Sequence, residues 1–217
     1  MKQTLFILTV LAFAACAPEP KETNETTIDE TMQEDSTKLK DILDEKKAGF
    51  EAKADSLKKQ VYADGIQAVV DAQITETALQ EGDKAPNFTL TNATGKEVSL
   101  YDELQNGPVI LMWYRGGWCP YCNLTLKAMQ DMLPQFKAGG SQLLALTPES
   151  PDKSISTAEK NELAFEVLTD NDNTVAREYG VVFKLTYEVK EYYQNGFGLS
   201  DYNGNDKGEL PLGATYV

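Results

Sequence analysis

Trp118-Cys119-Pro120-Tyr121-Cys122 holds the residues of this 217-residue chain best suited to chemistry. Two cysteines separated by two residues can close into a disulfide and reopen. Before them runs Val109-Ile110-Leu111-Met112-Trp113-Tyr114, an unbroken apolar stretch that reads as a buried strand. Arg115-Gly116-Gly117 breaks it, and a helical pattern begins at Pro120, whose missing N–H would have no partner in a first helical turn. The thiols therefore stand at a strand-to-helix turn. Free N–H groups and the helix dipole there favour a thiolate, which is the reactive form. Arg115, four residues before Cys119, adds a fixed positive charge to the same end.

Composition removes competing chemistries. The chain has no histidine, which excludes a Ser-His-Asp triad, a Cys-His dyad and histidine-containing zinc sites. Two cysteines cannot complete a four-ligand zinc centre, so neither metal nor other cofactor is implied. A formal net charge of −14 leaves no basic stripe for nucleic acid or an anionic membrane surface. A merely structural disulfide gains little from closing so short a loop, so redox function is the better reading of the pair.

The third cysteine belongs to a different segment. Lys2 and the apolar run Leu5–Ala15 have the length of a signal-peptide core, too short for a membrane-spanning helix. Ala14-Ala15-Cys16 resembles a bacterial lipobox, in which Cys16 would carry lipid after cleavage; an ordinary signal peptide and secretion is the alternative. The expected organisation is a leader peptide over 1–16, a flexible acidic tether over 17–35, a helical leader over 36–80 and one domain over 81–217. In the helical leader, Leu39, Leu43, Phe50, Leu57 and Val61 form one apolar stripe, and Gly65 is expected to interrupt the helix. It is read as packing on its own domain, with homodimerisation through it as the alternative.

Beyond Gly82 the pattern alternates. Phe88–Leu90 and Val98–Leu100 flank Asn92-Ala93-Thr94-Gly95 as a hairpin. Helices are predicted over Asn123–Phe136, Ser156–Leu163 and Thr174–Tyr179, with strands over Leu143–Leu146 and Phe165–Leu168. This alternation implies an α/β domain with parallel strands and helices on both faces. Residues 186–209, rich in Tyr, Asn and Gly, read as a long loop. Ala214–Val217 starts a strand expected at or near an exposed sheet edge.

From about Gly82 to Gly180 the chain resembles the peroxiredoxin-like branch of the alkyl hydroperoxide reductase/thiol-specific antioxidant (AhpC/TSA) family, within the thioredoxin fold. Carrying the resemblance are Gly82-Asp83-Lys84-Ala85-Pro86-Asn87-Phe88-Thr89-Leu90, Tyr114-Arg115-Gly116-Gly117-Trp118-Cys119-Pro120-Tyr121-Cys122-Asn123-Leu124, Thr147-Pro148-Glu149 and Ala158-Glu159-Lys160-Asn161. The resemblance implies a three-layer thioredoxin-like fold with a central mixed sheet. It also implies a further strand and closing helix beyond Val217, and a position often held by a cis-proline facing the thiols, which is Gly213 here. The implied activity is a thiol peroxidase: a thiolate attacks a peroxide, becomes a sulfenic acid and is resolved to a disulfide that a thioredoxin-like dithiol reduces.

Two registers assign the thiols opposite roles. Typical peroxiredoxins carry Pro-x-x-x-Thr-x-x-Cys; aligning that cysteine on Cys122 puts Cys119 at the threonine and Arg115 at the proline. Trp118-Cys119-x-x-Cys122 is instead the thioredoxin arrangement, with an exposed attacking first cysteine and a more buried second. Cap geometry favours Cys119 as nucleophile and Cys122 as resolver, with Arg115 assisting. A membrane-tethered thiol–disulfide reductase and a non-catalytic redox sensor are the alternatives.

Overall fold

A computed structural model describes residues 25–217, with side chains from Lys38 onward. The expectations about Cys16 and the leader peptide fall outside the described residues. Helix α1 spans Glu25–Lys53 and α2 spans Ser56–Asp71, followed by a single turn, α3, at Ile74–Thr77. Residues 25–35, expected as part of a flexible tether, are thus helical; Glu, Met and Gln at 30–34 are good helix formers that offset the lack of large apolar groups. The break in the leader falls at Ala54-Asp55 rather than at Gly65. Asp55 accepts a hydrogen bond from the Lys58 N–H at 2.9 Å and starts a new helix that runs through Gly65. A glycine in a helix costs only about 1 kcal/mol, less than a good cap and packing return. The break also turns the expected apolar stripe, leaving Leu57 67% exposed.

The hairpin is β1 (Thr89–Asn92) and β2 (Glu97–Ser99), with Leu90 opposite Val98. A short helix, α4 (Leu100–Glu103), leads to β3 (Val109–Trp113), α5 (Pro120–Ala138), β4 (Gln142–Thr147), α6 (Pro151–Lys160), β5 (Glu166–Thr169) and α7 (Thr174–Glu178). Helix α6 begins earlier than the pattern suggested, because Pro151 opens it. Then come β6 (Val182–Lys184), α8 (Tyr187–Phe197), α9 (Leu199–Asn203), β7 (Glu209–Pro211) and β8 (Thr215–Tyr216).

The main sheet has the order β2-β1-β5-β4-β3-β8. Its centre, β3-β4-β5, is parallel; β1 and β8 run antiparallel to their neighbours, and β6 and β7 form a separate ribbon. Alternate residues of β3, with Tyr114 just after it, serve opposite layers: Leu111 and Trp113 join Leu144, Leu168 and Tyr179, while Ile110, Met112 and Tyr114 join both cysteines, Leu126 and Val167. This is the mixed sheet of a thioredoxin-like α/β fold. β8 is an edge strand paired only with β3, as expected for Ala214–Val217.

The expected loop over 186–209 is instead mostly helical. Thr186 caps α8 by accepting from the Val189 N–H, and Val189, Tyr193 and Phe197 recur every four residues on one face. The interspersed Asn and Gly hid that period. Gly198 and Gly204, at φ of 73° and 65°, end the helices in left-handed turns that glycine adopts without strain. The leader packs on its own chain: α1 lies against α5 and α2 against α8. Leu79 N–H donates to Tyr179 O at 3.1 Å, stitching the end of the leader to the domain.

Candidate active site

β3 delivers the chain to the turn, and α5 carries it away. Cys119 is the N-cap of α5: its Sγ accepts the Cys122 N–H at 3.3 Å, and Pro120 takes the first helical position. Arg115 Nη2 donates to the same sulfur at 3.1 Å. The Cys119 sulfur is therefore a capping acceptor and a partner of a guanidinium at once. Both interactions favour the anion. Donation from the Cys122 thiol is the largest influence; burial opposes it, and the Arg115 charge adds to it, so the Cys119 pKa is pushed down to about 6. Cys122 moves the other way, well above the ordinary thiol range, because it donates to the Cys119 sulfur and is buried. The two sulfurs share one proton, held on Cys122. Burial disfavours the Arg115 charge, but facing Cys119 and Cys122 more than offsets that and keeps it protonated.

Arg115, Cys119 and Cys122 are thus brought together as expected, with both thiols free. Exposure differs from the thioredoxin arrangement. Cys119 is 1% exposed and Cys122 9%, so the first thiol is not the open one. Trp118, next to Cys119, belongs to an aromatic cluster. Trp118 stacks on Phe197 at 4.6 Å between centroids and meets Tyr193 at 5.0 Å, and Tyr193 in turn meets Tyr62 of α2 at 6.0 Å. The Arg115 guanidinium lies 5.9 Å from the Trp118 ring centroid. A cavity of about 360 Å³ opens between α2, α8 and the 211–215 segment, reaching Cys122 and Arg115.

The loop itself is clamped from both sides. Glu149, fully buried, accepts the Gly117 N–H at 2.9 Å and the Thr157 hydroxyl at 3.2 Å. Asn123 Nδ2 donates to the Gly117 carbonyl at 2.8 Å and is held by Asn161. A Cβ at Gly117 would lie 2.1 Å from Thr157 Oγ1, so only glycine fits there. Burial pushes the Glu149 carboxyl up, although its hydrogen bonds pull the other way. No role was assigned to Glu149, Asn123, Thr157, Tyr193 or Phe197 from sequence. The signals were weak: Glu149, Asn123 and Asn161 sat inside segments of family resemblance, and the aromatics inside the supposed loop. No cluster of three or more His, Cys, Asp or Glu able to hold a metal occurs among the described residues.

The AhpC/TSA family profile matches residues 81–205, more than half of the chain. The chain belongs to the AhpC/TSA family. It is 31% identical over 114 residues to peroxiredoxin Bcp of Escherichia coli, covering 52% of this chain and 72% of that protein. It is also 30% identical over 108 residues to the thiol-disulfide oxidoreductase ResA of Bacillus thuringiensis, covering 49% and 61%. Among solved structures, peroxidoxin BcpB of Mycobacterium tuberculosis aligns with a TM-score of 0.46 at 27% identity, over 48% of this chain and 68% of that one. The family places the protein among peroxiredoxin-type oxidoreductases.

Two outcomes follow from this geometry. Because Cys119 is ionised above about pH 6, its alkylation by iodoacetamide should rise through that pH and level off above it. In Arg115→Met the midpoint should move up, slowing alkylation at pH 6 while leaving the rates at pH 9 similar; an unmoved midpoint contradicts the role of Arg115. Glu149→Ala leaves the part-buried Gly117 N–H without its acceptor, and should lower unfolding stability in urea by about 1 kcal/mol. Glu149→Gln, which keeps an acceptor oxygen, should lose less.

Proposed function

We propose that the protein is a thiol peroxidase in which Cys119 attacks and Cys122 resolves. The observation that carries this is the split of the two thiols: an ionised Cys119 held by Arg115 and a proton-bearing Cys122 in contact with it. The Cys119 thiolate attacks the distal oxygen of a hydroperoxide. An S–O bond forms and the O–O bond breaks. The alkoxide or hydroxide leaves and takes a proton from water, and the sulfur, oxidised by two electrons, becomes a sulfenic acid. Loss of the negative charge on Cys119 then removes the main influence that kept Cys122 protonated. Cys122 sheds its proton and attacks, the S–S bond forms, the S–O bond breaks and water departs. Resolution within one helical turn benefits from proximity. A thioredoxin-like dithiol reduces the disulfide and is itself oxidised.

Two observations favour other readings. Cys122, not Cys119, borders the cavity, which supports the reverse assignment of thiols. The ResA relative and the Trp-Cys-x-x-Cys arrangement support a thiol–disulfide reductase; a protein that reacted with neither peroxide nor disulfide would be left as a redox sensor. Stopped-flow oxidation of the reduced protein by hydrogen peroxide separates these. Cys119→Ser should abolish peroxide consumption, whereas Cys122→Ser should consume one equivalent and stop at a sulfenic acid trapped by dimedone. Sulfenic acid in Cys119→Ser would reverse the roles, and rapid reduction of insulin disulfides without peroxide reactivity would favour the reductase.

We further propose a lipid anchor at Cys16 on the outer side of a bacterial membrane, with secretion as the alternative. The support is Leu5–Ala15 followed by Ala14-Ala15-Cys16. Among the described residues no helix is long and apolar enough to cross a membrane. After expression in a bacterial host, the wild type should fractionate with membranes as a species cleaved before Cys16. Cys16→Ser should not be lipidated; uncleaved wild type in the cytosol would contradict the proposal.

A further inference from the structure

We propose that closing the Cys119–Cys122 disulfide turns Arg115 into an anion receptor, so that the oxidised protein binds a small monocarboxylate with a hydrocarbon body in the cavity that Arg115 lines. This needs only that the two thiols close, which the peroxidase and reductase readings share. In the reduced protein the two sulfurs hold one proton and one negative charge between them, and Arg115 Nη2 meets that charge at 3.1 Å. Closure forms the S–S bond and removes two electrons, taken by a hydroperoxide or by another disulfide, together with the shared proton. Both sulfurs are then neutral. Arg115 keeps its charge, because a guanidinium does not deprotonate in a protein.

Three observations identify what replaces the lost anion. First, the chain offers no substitute. The ion pairs among the described residues engage Arg177 and Lys40, Lys96, Lys127 and Lys207, and none reaches Arg115. The groups that favour its charge are Cys119, Cys122 and Tyr193, with no carboxylate among them. A partly buried cation without a counter-ion is costly, so an incoming anion is favoured. Second, Arg115 borders open space. The cavity of about 360 Å³ falls within the roughly 300–1,000 Å³ of small-molecule sites. Once the disulfide has closed, Arg115 is the one charged side chain on its lining. Its planar fork matches one carboxylate, and a second carboxylate on the ligand would go unpaired. Third, Ile66, Val69, Leu185 and Val189 make the remaining walls largely hydrocarbon. A net charge of −14 repels anions in general, so an inorganic anion is poorly suited. An apolar body supplies the affinity that carries a carboxylate in.

The test titrates octanoate into the full chain by calorimetry, after reduction with dithiothreitol or oxidation with diamide and removal of the reagent. Octanoate should bind the oxidised form about tenfold more tightly than the reduced form, the low end of what a hydrogen bond between charged groups contributes. Octanol, with the same hydrocarbon and no charge, should bind the two forms within twofold of each other. The double variant Cys119→Ser with Cys122→Ser has no thiolate to occupy Arg115, and should bind octanoate as tightly as the oxidised wild type under either treatment. Arg115→Met should bind it equally weakly in both forms. By linkage, saturating octanoate should also make the disulfide about tenfold harder to reduce at equilibrium with dithiothreitol. Octanoate affinities within twofold in the two forms of the wild type, or a redox difference that survives in Arg115→Met, overturn the anion site. Either result leaves the peroxidase reading to its own test with hydrogen peroxide. Cys119 and Cys122 still open to alkylation after diamide would overturn the disulfide cycle and the anion site together.

Discussion

The Cys119 sulfur meets two demands at once, and much of the structure exists to satisfy both. As the N-cap of α5 it must accept a hydrogen bond from the Cys122 N–H, and as a nucleophile it must carry negative charge. A thiolate does both better than a thiol, so capping and reactivity reinforce each other. The cost is burial of an anion. Donation from the Cys122 thiol offsets it first and the Arg115 charge adds to that, Arg115 reaching the sulfur across the Gly116-Gly117 turn between strand and helix. The Glu149 and Asn123 clamp on Gly117 holds that reversal in place.

Burial of both thiols changes how substrate must arrive. An exposed sulfur takes any small oxidant, whereas a buried sulfur is reached through whatever opening the surrounding elements leave. The leader and α8 supply those surroundings. Tyr62 of α2 meets Tyr193, which meets Trp118 beside the first cysteine, so the leader is in packing contact with the redox turn through two rings. The element before the family-matched domain is thereby part of the site's environment.

Much of the domain was legible in the sequence. The apolar run of β3, the hairpin around Asn92–Gly95 and the strand–helix alternation through α7 have short-range periods that hold whatever packs on them. The misreadings share one cause. In α8, aromatic residues spaced by four were diluted by Asn and Gly, and the segment is helical because Val189, Tyr193 and Phe197 find Trp118, Val69 and Phe183 to pack against. In the leader, Gly65 looked like a break, yet its lack of a side chain is what the contact with Val189 requires.

Sequence alone determined that two thiols stand at a helix N-terminus with an arginine four residues before the first, since spacing and turn residues act locally. It also determined the family and the α/β class. Only the tertiary structure decided that Arg115 turns onto Cys119 instead of into solvent, that Glu149 closes on Gly117 from 32 residues away, and that the thiols are buried. The reason is physical. Those outcomes depend on which groups are excluded from water together, and the exclusion is set by elements that meet only after the sheet has formed.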